Sequence, residues 1–91
     1  MSTGALPPDD ETLRRLRWHC RRGTKELDLL LLRYVDQVYP GADAAVRHDF
    51  ERLLESQDPE LAGWLYGRDE AADPALRALV AVIRSLPAPP R

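Results

Sequence analysis

Arg21-Arg22-Gly23-Thr24-Lys25-Glu26-Leu27-Asp28 separates two stretches of helical periodicity. Glycine permits the left-handed turn in which helices commonly end, and without a Cβ it lets another backbone come close. Gly23 is therefore read as a corner between two helices. Upstream, Leu13, Leu16 and Cys20 recur at helical spacing, and Asp9, Asp10 and Glu11 suit the N-terminus of that helix. Downstream, Leu27, Leu30, Leu31, Tyr34, Val35 and Val38 form a wide apolar stripe, with Leu29 and Leu32 taken to extend it. That width predicts a central helix. It runs from Thr24, whose hydroxyl is the expected cap, to about Tyr39, where Pro40-Gly41 stops it.

The remaining segments repeat the pattern. A third helix is predicted from just after Asp43 to about Glu55, with Val46, Phe50, Leu53 and Leu54 inward. Asp58-Pro59 and Asp73-Pro74 are start signals for a fourth and a fifth, because aspartate accepts from free first-turn amides and proline loses nothing at the first helical position. The fourth carries Leu61, Trp64 and Leu65 and ends at Gly67; the fifth carries Leu76, Leu79, Val80, Ile83 and Leu86. No segment alternates with the period of a strand. The expectation is an all-α bundle of about five short helices in a single domain over residues 9–86, after a disordered lead at 1–8 and before a frayed Pro-rich tail at 87–91.

At 91 residues, 44% of them hydrophobic, the chain can build a modest core but not a deep, enclosed active site. The net charge of −2 exerts no global pull on nucleic acid or an anionic membrane. Its distribution is uneven: Arg14, Arg15, Arg17, Arg21, Arg22 and Lys25 share a segment with no acid between Leu13 and Lys25. A local basic face on an acidic protein suits a specific acidic partner better than a polyanion. Cys20 is the only cysteine and is read as a buried structural thiol rather than a reactive one. His19 and His48 lack second ligands at metal-binding spacing. No apolar run approaches membrane-spanning length and the N-terminus lacks signal-peptide character, so a bacterial cytoplasmic location is expected.

No catalytic constellation emerges: there is no glycine-rich phosphate loop after a strand and no supported Ser-His-Asp order. At the corner two readings stay open. One is an ordinary helix–helix turn with solvated charges; the other is a recognition patch, with Arg21, Arg22 and Lys25 as donors and Glu26 and Asp28 as acceptors in the first turn of the next helix. Trp18 lies off the Leu13-Leu16-Cys20 face. Packing against another helix is expected of it, with an exposed partner anchor as the alternative.

The run Arg15-Leu16-Arg17-Trp18-His19-Cys20-Arg21-Arg22-Gly23-Thr24-Lys25-Glu26-Leu27-Asp28 resembles the signature of the succinate dehydrogenase assembly factors, or flavinators, whose hallmark is Arg-Gly-x-x-Glu. Phe50-Glu51-Arg52-Leu53-Leu54-Glu55, Asp58-Pro59-Glu60-Leu61 and Trp64-Leu65 follow in that family's order, so the resemblance covers residues 13 to 84. It departs at Thr24, where a larger apolar residue is common, and around Ala42 to Val46, where the family often has leucine and an acidic helix start.

The resemblance implies a helical chaperone, not an enzyme, that binds the flavoprotein subunit of succinate dehydrogenase, and often of fumarate reductase. It promotes covalent attachment of FAD to a histidine of that subunit. By match to the motif, Arg22, Gly23 and Glu26 carry over as the partner-binding centre, with Arg21, Asp28 and Trp18 beside them. FAD is then the partner's cofactor, and none is assigned to this chain. The alternative is a helix-turn-helix nucleic-acid module with Arg14, Arg17 and Arg21 on phosphates. Against it, Glu26 and Asp28 would open the recognition helix.

Overall fold

The computed structural model describes residues 8–87, so all but the last residue of the expected lead at 1–8 and all but the first of the expected tail at 87–91 lie outside the described residues. Five α-helices are present: α1 (Asp10–His19), α2 (Lys25–Gln37), α3 (Ala44–Leu54), α4 (Asp58–Leu65) and α5 (Pro74–Ser85). A 3-10 turn, Tyr39–Gly41, follows α2, and no strand occurs among the described residues. The all-α expectation holds.

Three of the helices begin on an aspartate cap. Asp9 caps α1 by accepting from the Thr12 amide at 2.7 Å, and Asp43 caps α3 by accepting from the Val46 amide at 2.9 Å. Asp73 caps α5, accepting from the Ala75 amide at 2.8 Å while also taking Arg52 of α3. Two expected caps are not made. Thr24 stands at the N-cap of α2, but its side chain makes no capping bond. At α4 the N-cap is Gln57, one residue earlier than expected, and Asp58 is already helical. Its carboxylate takes up Arg22 instead.

The helices meet in one buried cluster that includes Leu16, Cys20, Leu27, Leu31, Tyr34, Phe50, Leu61 and Ile83. Tyr34 stacks on Phe50 with ring centroids 4.6 Å apart, and Tyr39 tilts against the same ring at 5.8 Å. α5 packs on α2, α3 and α4, and α2 packs also on α1 and the 3-10 turn. The apolar stripe of α2 is narrower than expected. Leu27, Leu31, Tyr34 and Val35 are buried, but Leu29 is 48% exposed. Leu29 lies two residues from both Leu27 and Leu31, which places it on the opposite side of a helix with 3.6 residues per turn.

Candidate functional site at the arginine–glycine corner

Between α1 and α2 the chain turns through Cys20 to Thr24. The Cys20 amide closes α1 by donating to Leu16 O at 3.0 Å, and the Arg21 amide donates to Trp18 O at 3.1 Å. Gly23 then adopts a φ of +84°, so the corner read from the sequence is a left-handed glycine. It is exposed, and a Cβ placed on it would meet nothing within 4 Å. The glycine is therefore needed for its backbone angle, and the space in front of it is open.

Asp28, in the first turns of α2, reaches back over this turn and accepts from the Arg22 amide at 2.6 Å. A carboxylate so placed satisfies a main-chain donor that the turn would otherwise leave unpaired. Arg22 itself does not point to solvent; its side chain is only 13% exposed. One terminal nitrogen donates to Leu54 O, and the other lies 3.4 Å from Ser56 O and 3.3 Å from Asp58 Oδ1. A cation on the last carbonyls of α3 also meets the negative end of that helix's dipole.

The outward side of the corner is made by other residues. Glu26 and Lys25 are exposed in the first turn of α2, and Leu29 follows Glu26 at i+3, on the same outward face. Trp18 is 71% exposed, contrary to the expectation that it packs against another helix. The core contacts of α1 fall to Leu16 and Cys20, which leaves no inward position for the indole. Its ring instead lies under the Arg21 guanidinium, 5.6 Å from ring centroid to carbon.

The basic face is thinner than a count of cations suggests. Arg17 is paired with Asp36 at 2.9 Å, Arg15 lies 3.8 Å from Glu11, and Arg22 is turned inward. Arg14, Arg21 and Lys25 make no ion pair among the described residues. Cys20 sits behind the corner with no exposed surface, and burial pushes its thiol up to about 12, against the smaller opposing pull of Arg22. It is a core residue. No group of three or more His, Cys, Asp or Glu that could hold a metal ion occurs among the described residues.

Of the six residues read from the sequence, Arg21, Arg22, Gly23, Glu26 and Asp28 therefore belong to one turn and the helix that follows it, with Trp18 one turn upstream. They divide into inward braces, Arg22 and Asp28, and outward groups, Gly23, Glu26, Arg21 and Trp18. Two residues escaped sequence reasoning. Leu29 was hidden in an apolar run, although its helical angle from Leu27 and Leu31 was available. Asp58 is 36 residues from Arg22, and no local spacing connects them.

The described residues thus define a small helical bundle with an exposed left-handed glycine turn between its first two helices. The family described as flavinator of succinate dehydrogenase matches residues 14–87, and the chain belongs to that family, which is one of assembly factors rather than of catalysts. The chain is 47% identical over 75 residues to the FAD assembly factor SdhE of Pseudomonas aeruginosa, covering 82% of this chain and 89% of that relative. It is 50% identical over 72 residues to the protein of the same name from Methylococcus capsulatus, covering 79% and 87%. The Shewanella oneidensis protein of that name is 44% identical over 75 residues, covering 82% and 92%.

Proposed function

We propose that this chain binds the flavoprotein subunit of succinate dehydrogenase, and that of fumarate reductase where present, and promotes covalent attachment of FAD within that subunit in the bacterial cytoplasm. The observation that carries the reading is the Arg22-Gly23-x-x-Glu26 motif at an exposed turn, in a chain whose family match spans residues 14–87. The histidine and the flavin both belong to the partner, so the factor supplies no nucleophile. Its contribution is to favour the arrangement of the flavoprotein in which the two meet, which lowers a barrier by positioning. Gly23 admits a partner backbone at close range, Glu26 accepts from a donor across the interface, and Trp18, Arg21 and Leu29 supply a flanking apolar and cationic surface.

Helical content and an acidic motif residue also bear on the nucleic-acid alternative. The helix after the turn buries Leu27, Leu31, Tyr34 and Val35, and opens with Glu26 and Asp28, which repel phosphate. Titration of Glu26→Ala separates the two readings by sign. Removing one partner of a desolvated charge pair costs roughly 2–5 kcal/mol, so affinity for the purified apo-flavoprotein subunit should fall at least about tenfold. Affinity for a mixed DNA duplex would instead rise or stay level in a nucleic-acid module, because a negative charge facing phosphates is lost. Undiminished flavoprotein binding would remove Glu26 from the site.

A further inference from the structure

Arg22 is the motif residue whose side chain turns into the molecule. Its guanidinium holds Leu54 O at the end of α3, Ser56 O just beyond it, and Asp58 Oδ1 in the first turn of α4. Its main-chain amide is held by Asp28 at 2.6 Å. The residue immediately before the left-handed glycine is thus fixed twice, once through its backbone from α2 and once through its side chain from the α3–α4 junction. A rotation of this residue would swing Gly23 and the start of α2 together. A planar fork that donates to a carboxylate and to helix-end carbonyls at once resists such a rotation better than a single-point contact.

We propose that Asp28 and Asp58 are positioning residues of the partner-binding surface, acting through Arg22 to set the orientation in which Gly23 and Glu26 are presented. Arg22 serves the interface from behind and does not touch the partner. The proposal rests on the flavoprotein-binding reading above, and it enlarges the site to include the junction of α3 and α4. Asp58 lies outside the Arg-Gly-x-x-Glu motif and is joined to it only by the fold.

The test uses the full chain carrying Asp58→Asn, Arg22→Lys, or both, with two readouts. Without any partner, amide hydrogen exchange at residues 22–28 should quicken in each variant while the α5 amides keep their wild-type rates; a global loss of stability would speed both. With purified apo-flavoprotein subunit, each single variant should bind about tenfold more weakly, and the double variant no more weakly than the weaker single one, because both changes break the same brace. Asp58→Glu, which keeps the charge, should recover part of the affinity. Wild-type exchange at the corner in Asp58→Asn would overturn the proposal. So would losses that multiply in the double variant, which would place Arg22 in direct contact with the partner. Failure of the wild-type chain to bind the subunit would overturn the functional reading instead, and the exchange arm would still decide whether the brace exists.

Discussion

Gly23 shows how a single residue can matter for two separable reasons. Its φ of +84° is a conformation that residues with a Cβ adopt at a cost of about 1 kcal/mol, whereas the open space before it imposes no steric limit within the chain. Gly23→Ala and Gly23→Arg should therefore lose similar stability, about 1 kcal/mol each in denaturant titration, and keep their helical circular dichroism. They should differ towards a partner, because only arginine fills the approach to the corner. A much larger stability loss in the arginine variant would mean that the space is not open. The left-handed corner was legible from the glycine and the helical periods on either side. The direction of Arg22 was not, because its partners at Leu54, Ser56 and Asp58 come from a junction that no local rule ties to residue 22.

Among the elements, helix starts separate what local chemistry decides from what tertiary contacts override. Asp9, Asp43 and Asp73 cap as aspartates before a helix are expected to. Asp58 has the same Asp-Pro signature as Asp73, yet it sits inside α4 and spends its carboxylate on Arg22. Two identical dipeptides thus serve different ends, and only the packing distinguishes them. Asp73 also joins elements, since Arg52 reaches it from α3 while it caps α5. That pairing, followed by the Ala75 amide, holds its carboxyl below the ordinary 3.8. A depressed carboxyl stabilises the fold above its unfolded-state value, and the contribution is lost as the pH falls through the folded one. Asp73→Ala should accordingly lower the thermal midpoint at neutral pH, with the gap to wild type closing below about pH 3.8. A gap that persists unchanged in strong acid would show that lost packing, not the charge, is responsible. Leu29 and Trp18 complete the lesson: apolar residues read as core, or expected there, stand on the outside because the inward angles of α2 and α1 are already occupied.

For the molecule as a whole, the all-α class and the order of the five helices were legible because hydrophobic period, aspartate caps and Gly or Pro stops agree along the chain. The pairing of the helices was not, since no local period tells that α5 packs on α2, α3 and α4 while α2 packs on α1, α5 and the 3-10 turn. The shared core has a signature in alkali. Burial pushes the Cys20 thiol from an ordinary 9.0 to about 12, and the Tyr34 hydroxyl from 10.0 to about 12. Each group binds its proton more tightly when folded, so its contribution is intact below the unfolded value and drains away as the pH rises towards the folded one. Stability should be level near neutrality and fall between pH 9 and 12, and the native thiol should resist Ellman's reagent until denaturant is added. Rapid native labelling would contradict a core Cys20. Action on the partner is what sets an assembly factor apart from a mere helical bundle. That action can be measured by mixing the purified apo-flavoprotein subunit with FAD and following covalent flavin by its fluorescence in denaturing gels, with no factor, with the wild-type chain and with Gly23→Arg. Attachment should be faster and more complete with the wild-type chain, and should run at the factor-free rate with a folded Gly23→Arg variant. Equal attachment with and without the wild-type chain would rule out a role for this chain in flavinylation, and full activity of Gly23→Arg would rule out the corner as its partner-binding site.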